Sequence, residues 1–284
     1  MSDVSTKARP SMQRTKRPAA IRLRLHVSPY VVSVLVAPAI LLLWYWATAA
    51  ELVAPILLPG PEAVWDATPR VIGASGFWTH FWRTTSEIVL GFALGGTIGF
   101  GLGLLLGASN TLRRAYLPFL SALQAVPKVI LAPLIIAWFG FGIEGKVVQA
   151  GIACFYAVFI TTLSGLELAE PQAIQLMRSF RASGWQIMRK VKIPSALPAI
   201  FGGLQLGATT AIIGAIVSEF VAADSGLGFL MLRYRSSFDT PAVWVLIFVF
   251  LLFGIVSYLL LWAAERKFVF WRRPEVARPD LERP

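Results

Sequence analysis

An all-α fold that crosses a membrane several times is predicted by three features of this sequence. Hydrophobic residues make up 56% of its 284 residues and charged ones only 14%. Soluble domains carry about a quarter of their residues as charges, because they need a polar shell. Mean hydropathy is +0.67. The apolar residues are gathered rather than dispersed: about six stretches reach the roughly twenty residues that a helix needs to cross the hydrocarbon core. They fall at about 29–50, 84–107, 115–138, 147–166, 199–222 and 242–264.

In chain order, the sequence reads as a basic tail (1–27), a membrane domain (28–265, with its core at 84–265) and a second tail (266–284). The first tail sets Lys7, Arg9, Arg14, Lys16, Arg17, Arg22 and Arg24 against one acid, Asp3, the composition of a disordered segment. A secretory signal is the competing reading. The apolar run that follows is long enough to span and lacks a small-residue cleavage site, which argues against it.

The second span has Gly91, Gly95, Gly99, Gly103 and Gly107, each four apart and so on one helical face. Such a stripe lets another backbone approach closely, either within the chain or from a second subunit. In the third span Lys128 lies between Pro127 and Pro133, prolines that loosen a membrane helix. An ionisable group there is costly and faces either a translocation path or a structural partner. Glu219 of the fifth span is the other such residue, with Glu87 and Glu219 both placed near an outer end where exposure costs little.

Residues 140–146 (GFGIEGK) imitate a phosphate loop, but Val147 stands where the magnesium-binding hydroxyl belongs and no strand precedes it. The match is chance, and the chain has no nucleotide site of its own. One cysteine, Cys154, and two histidines, His26 and His80, leave no disulfide, no zinc centre and no Ser/His/Asp triad to expect. No metal, cofactor or catalytic group is predicted. Tryptophans such as Trp44, Trp82, Trp244 and Trp262 fall near span ends, as interfacial anchors do.

The longest polar interruption of the second half, residues 167–198, carries a helical pattern of its own. Ala173, Leu176, Met177, Phe180, Ile187, Met188 and Val191 make one apolar face, with Gln172, Gln175, Arg178, Arg181, Gln186, Arg189 and Lys190 opposite. This is one amphipathic helix or two short ones in series, broken by Gly184 and stopped by Pro194 and Pro198. Such an element lies on a lipid surface or fits a groove in a soluble partner.

Charge orients the chain. Most of its 26 Lys and Arg lie in the two tails, in the loop with Arg113 and Arg114, and in the 167–198 loop. Only Arg70, Arg83, Lys146, Arg233 and Arg235 fall in the other loops. The positive-inside rule then puts both termini and the 167–198 loop in the cytoplasm. The excess positive charge is a topological signal, and no soluble basic domain accompanies it that would bind nucleic acid.

The loop resembles that of permeases of ATP-binding-cassette importers, which read Glu-Ala-Ala, three residues, Gly, nine residues, Ile-x-Leu-Pro. Here Gln175, Leu176 and Met177 take the first three places, Arg181 the glycine's, and Val191 to Pro194 the last four. Spacing and closing proline match; the Glu, both Ala and the Gly do not. The surroundings are similar to the nitrate/sulfonate/taurine branch: LPGP at 58–61, AVPKV at 125–129, WFG at 138–140, ASGWQI at 182–187, PSALP at 194–198, GAIVSEF at 214–220, and Gly226-Leu227-Gly228.

The resemblance covers about residues 55 to 265 and implies a type I importer permease in the bacterial inner membrane. Its implied partners are a second permease subunit, two ATPase subunits and a solute-binding protein, periplasmic or lipid-anchored. The implied contact with the ATPase is Gln175, Leu176, Met177, Arg178, Phe180, Arg181, Ser183, Gly184, Trp185 and Pro194. The implied cargo is a small polar or anionic solute: a riboflavin or thiamine-pyrimidine precursor, a sulfonate, taurine or nitrate. Arginine at 181 disfavours the left-handed turn that glycine allows, so the turn is expected to move to Gly184, or the helix to run straight through. A secondary transporter is the alternative. It would need inverted repeats and its own ion-coupling groups, and the sequence offers neither.

Overall fold

The computed structural model describes residues 29–221 and 224–271; the tail at 1–27 and most of 266–284 lie outside these. Of the described residues, those from 29 to Trp46 fall in a unit of their own, which holds most of the apolar helix α1 (Pro29–Ala49), and that helix contains Pro38.

From Ala47 onward every regular element among the described residues is a helix. The elements are α2 (Pro61–Ile72), α3 (Phe77–Ala108), α4 (Asn110–Gln124), a 3₁₀ turn (Lys128–Leu131), α5 (Ala132–Phe139), α6 (Ile143–Glu167), α7 (Pro171–Ser179), α8 (Gly184–Ile187), a π turn (Met188–Lys192), α9 (Ile193–Val221), α10 (Leu227–Ser236) and α11 (Thr240–Phe268). Among the described residues four helices are long and apolar enough to cross a membrane, and the bent pair α4–α5 makes a fifth.

The prolines of two spans act in opposite ways: the helix does loosen beside Lys128, and it does not stop at Pro194 and Pro198. The span expected at 115–138 is two pieces bent by 82° at residues 125–127. Pro127 has no N–H to give and pushes Val126 out of helical geometry, so Lys128 sits at the break, as the first residue of the 3₁₀ turn and not within an α-helix. Conversely, Pro194 and Pro198 do not stop their helix. Gly184–Val221 is one 38-residue helix, and the wide turn at Met188–Lys192 absorbs the hydrogen bond Pro194 cannot make.

The core is α6, flanked by α3 and α9. The glycine stripe of α3 lies against α6 of the same chain, which settles its partner. A Cβ on Gly91 would strike Ala150, on Gly95 the carbonyl of Gly151, on Gly99 that of Phe155, and on Gly107 Leu166. The rising numbers on both sides make the two helices parallel. On the other face of α6, Gly203 lies against Thr161, Gly207 against Val158 and Cys154, and Gly214 against Ala150 and Ala153; here the order reverses and the helices are antiparallel. Without a hydrophobic gradient between helix and lipid, close backbone approach supplies the packing energy.

At the bundle's edge, α2 is tied to α11. Both Nη atoms of Arg70 donate to Asp239, at 2.6 and 3.1 Å, and Asp239 also caps α11 by accepting from the N–H of Ala242 at 3.3 Å. The hydrogen bond from Arg70 holds the Asp239 carboxyl below the usual carboxylate range.

Candidate functional site

The two ends of the α3–α6–α9 core carry the polar side chains. At one end, α7 and α8 form a short arch. Pro171 starts α7 in its first turn, where its missing N–H costs nothing. The helix closes with the N–H of Ala182 donating to the carbonyl of Met177 at 3.0 Å and that of Arg181 to Arg178 at 2.9 Å. This double closure requires a left-handed residue at Arg181, whose φ is 55°.

That overturns the expectation for Arg181: the turn stays where the resembling loops have glycine, and Gly184 becomes the first residue of α8. Two backbone hydrogen bonds offset a left-handed cost of about 1–2 kcal/mol for a non-glycine residue. Ser183 then caps α8. Its Oγ accepts from the N–H of Gln186 at 3.2 Å, and Gln186 Oε1 accepts from the N–H of Ser183 at 2.8 Å, a reciprocal pair that fixes the entry angle.

The single apolar face expected for 167–198 divides in two. Ile187 and Met188 are buried, Met188 against Leu166, Ala196 and Ile200, and Ala173, Met177 and Pro194 are half-buried. Leu176, Phe180 and Trp185 point outward with relative exposures of 58%, 75% and 68%. Around them Gln175, Arg178, Arg181, Ser183 and Gly184 are also exposed. The turn at Arg181 sets this division, since it changes the helix direction between Phe180 and Trp185. Beneath the arch, Arg113 pairs with Glu167 and Lys192 Nζ donates to the carbonyl of Gly107 at 3.3 Å. Two cavities of about 400 and 700 Å³ lie between arch and bundle, and both reach Ile174, Arg178 and Lys192.

The opposite end holds a cluster that the sequence reading missed. Glu87 and Glu219 are fully buried and Lys146 is 1% exposed, which corrects both the exposed outer ends given to the glutamates and the loop position given to Lys146. Lys146 Nζ lies 3.1 Å from Glu87 Oε1, and Arg83 Nε 3.5 Å from the same oxygen. Thr84 donates to Glu219 Oε1 at 2.6 Å. Arg83, Thr84 and Glu87 sit within the first turns of α3, and Lys146 within the first turn of α6. An Arg-Glu pair four apart, and a lysine directly before an expected span, were the available signals. Lys128 stands elsewhere. It is half-buried at the α4–α5 break, with Nζ 5.8 Å from the centre of the Tyr156 ring.

Four to five helices long and apolar enough to cross a membrane, packed around α6 and carrying an exposed apolar arch at one end, are the architecture of a multi-pass membrane protein. The chain belongs to the family of binding-protein-dependent transport system inner membrane components, matched over residues 95–269. It is 32% identical over 237 residues to the formylaminopyrimidine transport permease protein ThiX of Halalkalibacterium halodurans, covering 83% of this chain and 94% of that one. To the riboflavin transport system permease protein RibX of Chloroflexus aurantiacus it is 36% identical over 233 residues, 81% and 87% of the two chains. To the taurine transport system permease protein TauC of Escherichia coli it is 29% identical over 239 residues, 82% and 87%.

Among solved structures, a chain of the inward-facing MetNI methionine transporter superposes with a TM-score of 0.59 at 21% identity, covering 70% of this chain and 98% of that one. That likeness establishes the type I permease fold. The protein is therefore a multi-pass inner-membrane permease subunit of an ATP-binding-cassette importer, working with a solute-binding protein and with ATP hydrolysis in a separate subunit.

Proposed function

We propose that the arch of α7 and α8 is where the ATPase grips this permease, through Leu176, Phe180 and Trp185 and the polar rim from Gln175 to Gly184. The observation that carries this reading is the exposure of three large apolar side chains on an element closed by its own backbone caps and rooted in the core through Met188. An exposed apolar face on a rigid helical element fits a groove in a soluble partner. The arch and both termini face the cytoplasm in this reading, supported by the lysines and arginines gathered at that end.

Two copies, or this chain and a close homologue, stand over two ATPase subunits. Support for the pairing comes from α4, in which none of its fifteen residues is buried, and from the exposed side chains Phe119, Leu123 and Ile130 at the bend. The solute passes along that bent face, where Lys128 is the charged residue available to it. Glu219 has both oxygens engaged and serves as a brace. The cargo is a small polar solute, and the relatives named for formylaminopyrimidine and riboflavin favour a nitrogen heterocycle over a sulfonate, taurine or nitrate.

Co-purification from native membranes with an ABC ATPase subunit tests the arch. The intact chain is expected to retain the ATPase, and Phe180→Asp or Trp185→Asp to lose at least tenfold of it with helix content unchanged. Uptake into vesicles that proceeds without any ATPase would overturn the reading in favour of secondary transport. Binding of radiolabelled riboflavin, pyrimidines and taurine to the solute-binding protein that co-purifies with the transporter decides the cargo.

A further inference from the structure

The helix Gly184–Val221 joins the two polar ends of the core without interruption. Trp185 stands near its start and Glu219 near its end, on the order of 50 Å apart at 1.5 Å per residue. At that far end Glu219 grips a different helix. Its Oε2 accepts the N–H of Gly228 at 2.6 Å. Thr84, which donates to Glu219 Oε1, accepts the N–H of Leu227 at 2.8 Å. His80 Nδ1 accepts the N–H of Gly226 at 2.9 Å.

Three consecutive amides at the start of α10, donors that a helix leaves without internal partners, are thus taken by side chains of α3 and α9. The residue that would ordinarily cap them, Gly226, has no side chain to do so. Lys146 of α6 holds the preceding residue, donating to the carbonyl of Ser225 at 3.0 Å. The glycines are required by this seat. A Cβ on Gly226 would collide with Glu219 Oε1, and one on Gly228 would lie 2.7 Å from Oε2. Gly226 also has φ 115°, a region that side chains avoid. A local Ser or Asp cap would hold α10 without a buried carboxylate. The arrangement found instead ties α10 to all three core helices.

We propose that this seat is a mechanical clip: Glu219, with Thr84, His80 and Lys146 as positioning residues, carries the movement that the ATPase imposes at α8 along α9 to α10 at the far mouth of the path. The inference rests on the transport reading above. It makes α10 and the α3–α6–α9 core one moving body, with the joint at residues 237–239 before α11, where Phe238 has φ 57°.

The test uses the full chain with its ATPase subunits in nanodiscs. Spin labels at Trp78 on α3 and Arg235 on α10 are read by pulsed electron resonance with ADP and with ATP plus vanadate. The 78-to-235 distance is expected to stay the same in both states, while the 235-to-235 distance across the two permeases shifts. In Glu219→Gln, and in the near-isosteric Thr84→Val, the first distribution should broaden and the second shift should vanish, with ATP hydrolysis within twofold of the parent. The clip is overturned if the 235-to-235 shift survives in both variants, or if the parent 78-to-235 distance itself follows the nucleotide. Loss of hydrolysis together with a disordered α10 in both variants would reduce the seat to a prop for the fold, and also overturn it. Failure of any ATPase to associate would remove the transport reading and the clip together, whereas normal hydrolysis with an indifferent α10 removes the clip alone.

Discussion

The arch at α7–α8 and the seat of α10 solve the same problem, the loose ends of a short helix, by opposite means. The arch closes itself. Its caps are local, from Arg181 and the Ser183–Gln186 pair, and its large apolar side chains are left outside. The seat is closed from elsewhere, by His80, Thr84, Lys146 and Glu219, and its charges are left inside. In the reading proposed here, a surface that meets a partner has its helix ends closed locally and is rooted in the body only through Met188, whereas an element that follows the body has its helix start bonded to that body.

The largest way to break the contrast is at the buried charges. Lys146→Met leaves buried Glu87 with only the longer contact to Arg83, and removing one partner of a buried pair costs up to about 3–5 kcal/mol. Its thermal unfolding in detergent should fall well below that of the parent, and the double variant Lys146→Met/Glu87→Gln should recover most of the loss. Next comes the glycine face on which both ends depend. Gly95→Ala pushes a methyl into the carbonyl of Gly151 and should cost about 1–3 kcal/mol. Gly101→Ala, with open space around it, should melt as the parent does.

A smaller change sharpens the arch. Arg181→Gly removes left-handed strain of about 1–2 kcal/mol, so amide exchange in α7 should slow while binding of the ATPase is kept. If exchange is unchanged, the turn is not strained. The smallest effect lies outside both ends, at Arg70–Asp239. Because Arg70 holds the Asp239 carboxyl low, the tie is complete above the unfolded Asp value of about 3.9. It is lost as pH falls through the lower folded value. Exchange in α2 should therefore accelerate only below about pH 4, and Asp239→Asn should abolish that dependence.

How far the sequence could be read follows the range of the forces involved. The α3 glycines and the apolar runs are periodic, and periodicity predicted helices and a close seam. The arch showed in its residue types, since apolar and basic side chains at helical spacing are a local pattern. What escaped was set by distance or by competition. Lys146 reads as a loop residue until α3 and α9 bring Glu87 and Ser225 to it. Arg181 reads as unfit for a left-handed turn, because the two carbonyls that reward the turn belong to residues three and four positions earlier and enter no propensity. Pro127 and Pro194 are chemically alike, yet one ends a helix and the other does not. The difference lies in the wide turn before Pro194, which single-residue preferences cannot register.

The backbone seams on both sides of α6 have a bearing on leakage. Where Gly95 meets Gly151 and Gly207 meets Cys154, there is no gap wide enough for a water file, and a membrane that stores a proton gradient tolerates none. In the reading proposed above, one copy is a wall, the opening forms along its bent α4–α5 flank, and the seal there is as good as whatever stands opposite.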